Sequence, residues 1–469
     1  MGKFKLFCVL ALMALIAVPA YAEVQNVKVS GDLSARWILR GTYDLDKNNA
    51  TGATTTAGGL DNNDDYLIST AEVQVDADLT DNVSTAIRLA NQKDWGEIAD
   101  QKGGASTNVY NVIVDLANVT FKEFFYAPLT VTIGRQDLWY GKGFIVGAKQ
   151  RDPLASISAD EYTVINSFDA IKAALDFEPW KVDGVYSLIE EGDTNRANDL
   201  WLGGVNVGYK FDSYKGEAEA YIFQKHDRTR NAYVNGTTNV PSMVDWVRTY
   251  GIRGSFEPIP NATLAAEGAF QAGRYSTIAT NASRARRGKA LDVSGDYLFK
   301  DARWTPKLGI EYIFYSGEAE TGTAAEGTYH AWDVMYRGKF DSAIREFQNL
   351  YYATAMRADN STVIKNDQDA GNTNQTQVIL YGTLKPTNAL SVDGRFAFFW
   401  MDKAQKYGST GSETRSKNVG SELDLTLNYV YTEDVSFGLL AAWFFPGSYW
   451  VGGLDDTASD IVGTVKVAF

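Results

Sequence analysis

The sequence contains very little cysteine and histidine. Its single cysteine, Cys8, lies in an apolar run at the amino terminus, and its two histidines are His226 and His330. If the leader that contains Cys8 is removed, the mature chain has no thiol, no disulfide and no cysteine ligand for a metal. Two histidines far apart in the sequence also leave little for an enzyme that works through imidazole groups.

An excess of positive charge and a long apolar run are missing as well. The formal net charge is −14, which argues against a nucleic-acid partner because nucleic acids select basic surfaces. Beyond the amino terminus no segment holds about 18 uninterrupted apolar residues, so no membrane-spanning helix is predicted. The chain instead has 26 Tyr, 23 Phe, 11 Trp and 42 Gly with only 10 Pro. This composition is typical of a large β-barrel with an apolar outer face and a wet lumen.

The amino terminus has the three parts of a secretory leader. Lys3 and Lys5 are basic, Leu6–Val18 is apolar, and Ala20–Ala22 matches a small-residue cleavage site. We therefore predict a cleaved signal peptide over residues 1–22. The exported mature chain, residues 23–469, is predicted to form one barrel domain.

The last nine residues alternate strictly between two faces. Apolar residues or glycine occupy one face, at Ile461, Gly463, Val465, Val467 and Phe469. Such alternation indicates a strand, and its free edge requires a partner, for which the first strand of the mature chain is the candidate. A strand that ends on an aromatic residue resembles the assembly signal of bacterial outer-membrane β-barrels. The resemblance implies that the barrel-assembly machinery reads the Phe469 strand; an ordinary edge strand of a soluble protein is the alternative.

Long strands joined alternately by short turns and long loops continue along the chain. The first strand runs from Val27 to Arg40, well beyond the six residues or so usual in soluble sheets. Eight short turns are predicted, at Thr80–Asn82, Glu123–Pro128, Glu178–Pro179, Asp212–Ser213, Pro258–Asn261, Lys300–Arg303, Pro386–Asn388 and Thr432–Asp434. With the first and last strands, these turns predict an antiparallel β-barrel of 18 strands, in a range of 16 to 20. Short periplasmic turns and long external loops are typical of outer-membrane barrels.

The stretch Tyr329–Thr376 fits two interpretations. A ninth turn at Phe340–Ser342 would add two strands. We instead predict one large external loop over Met335–Gln375, helical in part around Ser342–Leu350.

Each predicted strand has one apolar face and one charged face. Between Leu390 and Trp400, for example, apolar residues and glycine alternate with Ser391, Asp393 and Arg395. A soluble sandwich would bury the apolar faces, and the local pattern fits that fold equally well. The leader, the strand length and the loop asymmetry favour a membrane barrel, with the apolar faces towards lipid and the charged faces lining a lumen.

The stretch Leu129–Gln150, LTVTIGRQDLWYGKGFIVGAKQ, leads from a strand into a glycine-punctuated aromatic segment. It resembles the alginate-export family of outer-membrane porins, which carry a similar Gly-Arg-Gln strand end and Tyr-Gly segment. Phe168–Ile171 and Phe347–Leu350 are also similar to family segments, with Ala170 in place of a usual glycine. The resemblance implies an 18-stranded monomeric channel that passes a solute, in the best-known case a polyuronate.

The inferred lumen carries charges of both signs, and we select the strongest candidates for pore lining or constriction. They are Arg36, Glu72, Arg88, Arg135, Asp137, Lys142, Arg151, Asp152, Lys172, Asp183, Arg253, Asp393, Arg395, Glu422 and Asp424. Opposed charges set a transverse electric field across a pore, which would act on a passing solute. The alternative is that these charges only neutralise one another in a water-filled interior. Strict alternation directs Arg135 to lipid, and we predict a bulge at Gly134 that turns it inward. The loop Lys142–Asp160 either folds into the pore as a constriction or lies on the surface.

Two further loops are candidates for binding ions. The basic residues Arg284, Arg286 and Arg287 lie in a predicted external loop, where they either meet lipopolysaccharide phosphates or anionic solutes or are simply solvated. Asp44–Asn48 begins like a calcium loop, but position six is not glycine and position twelve is not glutamate. Asp61–Asp65 is acidic enough to hold a divalent cation loosely. We predict no cofactor and no specific metal site.

Catalytic motifs are absent: the sequence has no Gly-x-Ser-x-Gly, His-Glu-x-x-His or phosphate-binding loop. The prediction is therefore a non-enzymatic porin in the outer membrane of a Gram-negative bacterium. It would contact membrane lipid and lipopolysaccharide and pass polar or charged solutes by diffusion, with oligo- and polysaccharides among the candidates. The alternatives are a barrel-embedded surface hydrolase that uses His226 beside Asp227, and a structural or adhesive barrel.

Overall fold

The computed structural model describes residues 26–43, 45, 47, 63–96, 112–148, 157–191, 199–228, 244–277, 282–318, 327–346, 373–407, 413–450 and 453–469. The predicted leader lies outside them. Eighteen long strands make up the wall: β1 Asn26–Gly41, β2 Asn63–Thr80, β3 Val83–Asp94, β4 Ile113–Phe121, β5 Leu129–Gln136, β6 Phe168–Phe177, β7 Trp180–Glu190, β8 Leu200–Phe211, β9 Gly216–Asp227, β10 Asp245–Ile259, β11 Ala262–Thr277, β12 Lys289–Leu298, β13 Lys307–Tyr315, β14 Gln375–Leu384, β15 Leu390–Met401, β16 Asn418–Val430, β17 Val435–Pro446 and β18 Ala458–Ala468.

Other regular structure in the described residues is short. There are small strands at Ala282–Arg286, Thr328–Tyr329, Lys406–Tyr407 and Glu413–Thr414, and 3-10 turns at Asp160–Tyr162 and Ser213–Lys215. Among the described residues, no helix is long and apolar enough to cross a membrane.

The sheet closes on itself. Every strand is antiparallel to the next, and β18 pairs with β1 from Ala468 opposite Asp32 to Ser459 opposite Gly41. The seam extends to the last residue: the Phe469 amide donates to the Gly31 carbonyl at 3.0 Å, and the Gly31 amide donates to the Phe469 carbonyl at 2.9 Å. The closed 18-stranded antiparallel barrel is therefore confirmed, and it has no unpaired edge.

The connections alternate as predicted. All eight short turns lie between the strand pairs for which they were predicted, and they share one end of the barrel, while the long connections share the other. The connection from β13 to β14 begins after Tyr315 and ends before Gln375. Its described part contains no further barrel strand, and Arg345 and Glu346 begin a helical turn, whereas residues 347–350 lie outside the described residues.

The two faces of the wall have the predicted polarity. Large apolar side chains such as Ile252, Val29 and Leu308 are 69%, 58% and 54% exposed on the outer face, whereas Asp292 and Glu422 on the inner face are fully buried. A soluble sandwich would have shown the reverse. Outward aromatic side chains such as Trp180 and Tyr209, with ring centroids 4.7 Å apart, gather near the short-turn end. Aromatic belts of this kind mark the border of an apolar layer.

The seam provides a stability test, because Gly31 has no room for a side chain. A Cβ atom at Gly31 would lie 2.5 Å from the Glu72 carbonyl oxygen and 2.6 Å from the Phe469 ring. Gly31→Val is expected to destabilise the barrel by roughly 1–3 kcal/mol through overpacking. Semi-native gel electrophoresis would show unfolding at a lower temperature. Gly463→Val is the control, since a Cβ there meets nothing within 4 Å on the same seam; equal shifts in the two variants would contradict the prediction.

Candidate functional site

The chain that follows β5 folds into the barrel rather than away from it. We call Leu138–Ala148 the first inner segment. Its Leu138 and Phe144 side chains are buried; Tyr140 packs on Phe223 of β9 with ring centroids 4.9 Å apart, and Phe144 packs on Tyr315 of β13 at 5.6 Å. These contacts hold the segment against the inner wall.

A second stretch, from the connection between β13 and β14, lies beside the first. We call Ala331–Glu346 the second inner segment. The Gly147 amide donates to the Tyr336 carbonyl at 2.7 Å, and the Gly338 amide donates to the Gly143 carbonyl at 2.8 Å. The backbones approach so closely that a Cβ at Gly338 would lie 2.8 Å from the Gly147 Cα atom. The two segments thus form one unit inside the lumen.

The start of the second inner segment is fixed by a buried charge cluster. The Asp333 carboxylate contacts the Lys225 ammonium at 2.5 Å and the Arg286 guanidinium at 3.2 Å, and the Met335 amide donates to it at 2.9 Å. Burial alone would raise the pKa of Asp333, but the two cations and the amide outweigh it and hold this pKa well below its usual range. Asp333 is therefore ionised at any pH near neutrality.

The middle of the segment is held by Lys339. Its ammonium lies 2.6 Å from Glu311, 2.8 Å from Asp292 and 3.2 Å from Asp341. Burial would lower the pKa of Lys339, yet these three carboxylates raise it well above its ordinary value. From the first inner segment, Lys142 donates to Ser294 at 3.0 Å on the same part of the wall.

Arg337 occupies the interior of the second inner segment. Its guanidinium contacts Glu346 at 2.9 Å and Asp341 at 3.2 Å, and the side chain is only 1% exposed. One cation thus links both halves of the segment, and buried charges of this kind require their partners.

The end of the segment is bound to β16. The Ile344 and Arg345 amides donate to Glu422 at 2.7 and 2.8 Å, and the Ala343 amide donates to Asp424 at 3.2 Å. Glu422 and Asp424, predicted as pore-lining residues, are therefore the wall groups that hold the second inner segment.

A cavity of about 380 Å³ lies between the second inner segment and strands β14–β17. Arg395 lines it with a side chain that is 46% exposed, and its guanidinium is 3.7 Å from the Asp341 carboxylate. Asp393, which also lines it, accepts a hydrogen bond from Thr383 at 2.6 Å. This cavity offers charges of both signs to a solute.

Most of the predicted pore-lining residues lie on the inner face of the wall, namely Arg36, Glu72, Arg88, Lys172, Asp183, Arg253, Asp393, Arg395, Glu422 and Asp424. Asp137 and Lys142 follow β5 and also face this interior. Arg151 and Asp152 lie outside the described residues.

The inner-wall cations are already engaged. Arg253 contacts Glu219 at 2.6 Å and Glu217 at 2.7 Å. Lys172 lies 5.6 Å from the centre of the Tyr140 ring. The structure thus combines these predicted residues into local clusters rather than one continuous ring.

Another such cluster surrounds Arg88. It contacts Asp115 at 2.5 Å, Asp137 at 3.3 Å and Glu72 at 3.4 Å. Asp115 is the residue skipped by a register shift between β3 and β4, next to Leu116, which pairs with Arg88. This bulge was not predicted.

The predicted bulge at Gly134 is wrong. Strand β5 stays in register with β4 and β6 through Gly134, although the φ of this residue is +119°. Arg135 therefore keeps the outward face of Ile133. It meets Asp169 at 3.4 Å near the long-loop end, so its charge is paired there and does not require an inward turn.

The basic loop was predicted either to meet phosphates or anionic solutes or to be solvated, and two of its arginines instead contact acids of this chain. Arg286 is buried and lies 2.9 Å from Asp245, and Arg284 contacts Glu318 at 2.6 Å. Acids neutralise both, and Arg287 alone of the three predicted residues is exposed.

The predicted acidic loops fall largely outside the described residues. Of Asp61–Asp65, the Asp65 carboxylate accepts a hydrogen bond from the Trp37 indole at 2.5 Å. In the part of the chain that the structure describes, no group of three or more His, Cys, Asp or Glu is placed to hold a metal ion.

His226 and Asp227 do not form a pair. His226 lies on the outer face with Ile222, and its ring stacks on Trp201 with centroids 5.1 Å apart. Asp227, the next residue in the strand, points to the opposite face. The arrangement required of a hydrolase with a carboxylate-held histidine is not formed by these two residues.

Sequence reasoning missed Asp333, Arg337 and Lys339, which fix the inner segments. One signal was present: between Arg337 and Glu346 the sequence places five charges of both signs within ten residues. A solvated loop does not need that pattern, whereas a buried segment needs paired charges.

The Asp333 cluster gives a testable prediction. Asp333→Asn leaves Lys225 and Arg286 without their shared anion and is expected to loosen the segment by about 1–3 kcal/mol. Because the pKa of Asp333 is depressed, its contribution is complete above the unfolded value of about 3.9 and is lost only as pH falls below it. The variant should therefore show the same increase in protease sensitivity at pH 5 as at pH 8. An effect present at only one of these pH values would contradict this account.

Comparison with known proteins gives the family and the fold. The family model described as alginate export matches residues 39–463. The chain is similar in structure to OccAB1 of Acinetobacter baumannii, with a TM-score of 0.56 and 10% sequence identity over 96% of this chain and 98% of that one. It is also similar to OccK9 (OpdG) of Pseudomonas aeruginosa, with a TM-score of 0.55 and 10% identity over 95% and 99% of the two chains. At such identities the likeness shows the fold alone. No curated protein sequence matches the chain.

Proposed function

The chain belongs to the alginate-export family, and from that membership and its geometry we propose that it is an outer-membrane channel in which polar solutes diffuse past the two inner segments. One observation carries the proposal: a closed barrel exposes apolar side chains outward and keeps its charged side chains inside. Such a wall is stable only where hydrocarbon surrounds it and water fills it. The location is the outer membrane of a Gram-negative bacterium.

The inner segments set the width of the path. They are fixed to the wall at Asp333, Lys339 and Ala343–Arg345, so they narrow the lumen on the side of strands β9–β16. A solute that passes them exchanges part of its hydration shell for the paired charges of the wall, and this exchange provides selectivity.

The charge of these clusters disfavours polyanions. Lys339 faces three carboxylates, and Arg253 faces two. In these two clusters the carboxylates outnumber the cations, and an anionic polymer would meet a net negative wall there. We propose that uncharged and cationic solutes pass more readily than polyuronates.

The remaining roles are proposals of the same kind. Transport requires no covalent step, so the channel is proposed to have no enzymatic activity and no cofactor. The mature chain, residues 23–469, is proposed to act as one domain. Phe469 at the seam is the proposed contact for the barrel-assembly machinery, and the outward Arg135 and exposed Arg287 are the proposed contacts for lipopolysaccharide phosphates.

Planar-bilayer recording tests the proposal. The purified protein should give discrete conductance steps, and in a potassium chloride gradient its reversal potential should shift towards the potassium equilibrium potential. Uronate oligomers should block the current weakly. The absence of steps from folded protein would refute the channel, whereas chloride preference or strong uronate block would refute only the proposed selectivity.

A further inference from the structure

Trp139 differs from every other described residue of the two inner segments, because it alone is exposed. Its relative exposure is 54%, while the others are buried or partly buried. A large aromatic ring that is left open to water inside a channel has no packing role on its open side. The open side of the indole is therefore available to stack on a ligand.

The other side of the indole rests against glycine. A Cβ at Gly143 would lie 2.5 Å from the six-membered ring, a Cβ at Gly338 would lie 2.6 Å from it, and a Cβ at Gly147 would lie 3.0 Å from it. The indole N–H donates to the Gly141 carbonyl at 3.0 Å. Both inner segments therefore support the ring and fix its orientation. A rigid ring loses little conformational entropy when a ligand binds to it.

The position of the support places the open side in the lumen. Gly338 is followed by Lys339, whose ammonium reaches Asp292 and Glu311 on the inner wall. Gly338 therefore lies inside the barrel, and the ring it supports cannot face lipid. The open part of Trp139 meets the water through which solutes move.

A polar cluster flanks the ring. A Cβ at Gly141 would lie 2.8 Å from Nε of Arg253. The Arg253 guanidinium therefore lies beside Gly141, whose carbonyl accepts the hydrogen bond from the Trp139 indole. Arg253 is hydrogen-bonded to Glu217 and Glu219, and the Glu217 side chain is 41% exposed. One cation with two carboxylates supplies donors and acceptors together and carries an excess of negative charge.

We infer that Trp139 is a stacking platform for the ring of a neutral sugar, and that the Arg253 cluster receives its hydroxyl groups. The C–H groups on one face of a pyranose ring carry partial positive charge, and they pack favourably on the negative face of an aromatic system. Hydroxyl groups both donate and accept, as the cluster requires. A uronate would be repelled by the surplus carboxylate. Aromatic rings also attract cations, but a simple cation at Trp139 would be repelled by the positive charges of Arg253 and Lys142 nearby.

This inference rests on the proposed channel function, and one experiment separates the two. Single-channel current is recorded while a neutral glucose trisaccharide is added, with a polyethylene glycol of equal size as the steric reference. The wild-type channel should be blocked at a lower concentration of sugar than of polymer. Trp139→Ala should raise the half-blocking sugar concentration by about tenfold, which corresponds to the loss of one good aromatic contact.

The control is Trp95→Ala. Trp95 is 55% exposed, similar to Trp139, but it follows β3 at the long-loop end on the outward side, opposite in alternation to the inward Asp94. This variant should keep the wild-type half-blocking concentration. Trp139→Phe, which retains a ring, should shift it by less than about threefold and guards against misfolding of the alanine variant.

Fluorescence gives a second measurement. The sugar should change the tryptophan emission of detergent-solubilised wild type, and the change should be absent in Trp139→Phe. Equal sugar block in Trp139→Ala and wild type would overturn the stacking platform but leave the channel function intact. The same holds if Trp139→Ala weakens block by choline tenfold and leaves block by sugar unchanged. The absence of ionic current in every variant would instead refute the channel itself.

Discussion

Arg337→Met is expected to release the second inner segment and increase single-channel conductance severalfold. The substitution fills a similar volume but removes the cation that Glu346 and Asp341 share at 2.9 and 3.2 Å. The buried Glu346 carboxylate then loses its cation, while Asp341 keeps Lys339 at 3.2 Å; removing one partner of a buried ion pair costs about 3–5 kcal/mol. The barrel wall does not depend on this cluster, so the segment should move into water rather than the strands unfold. Planar-bilayer recording and semi-native gel electrophoresis measure the two effects separately.

Lys307→Met serves as the matched control. Lys307 is also a lumen cation, 3.2 Å from Asp296, but its side chain is 42% exposed. Water can hydrate Asp296 after the change, so an effect below about 1 kcal/mol and an unaltered conductance are expected. Adding Asp341→Asn and Glu346→Gln to Arg337→Met should restore part of the wild-type conductance. Wild-type conductance in a folded Arg337→Met barrel would show that another contact holds the segment.

Glu422→Ala is expected to detach the other end of the same segment. The amides of Ile344 and Arg345 lose their acceptor, at 2.7 and 2.8 Å, in a buried position. Each unsatisfied amide costs about 1–3 kcal/mol, and no neighbouring strand can replace the carboxylate because the wall is already fully paired. Hydrogen exchange at Ile344 and Arg345 should accelerate by two orders of magnitude or more, while exchange in the barrel strands stays slow.

Glu422→Gln separates geometry from charge. The amide retains one oxygen acceptor and the same shape, so it should preserve one of the two hydrogen bonds and give an intermediate exchange rate. If glutamine and alanine accelerate exchange equally, the negative charge rather than the acceptor geometry holds the segment. If neither does, the contact to β16 contributes nothing.

The wall could be predicted from the sequence because its determinants are local. A strand that faces hydrocarbon on one side and water on the other repeats every two residues, as at Val465 and Val467, and turns interrupt the pattern at regular places. Closure also followed, since a last strand with an unpaired edge requires the first as its partner. The seam between Gly31 and Phe469 is the result.

The inner segments could not be predicted in the same way because no repeat specifies them. Phe144 is buried by Tyr315, and Lys339 is held by Asp292; both contacts join distant parts of the chain. From its sequence alone, a loop rich in glycine and charged residues is predicted to be solvated, because its buried partners lie elsewhere in the chain. The errors at Arg135 and Arg286 have the same origin, since each was assigned from its strand or loop, while its actual acid partner lies on another element.

The seam between β18 and β1 also has a consequence for biosynthesis. The first strand of the wall must wait, unpaired on one side, until the ribosome has made the last, so closure cannot begin on a growing chain. Pairings between strands this distant in sequence form slowly, and until they form the unpaired strand edges are prone to aggregation. The sheet can therefore close only once the whole chain, including its last residues, is available.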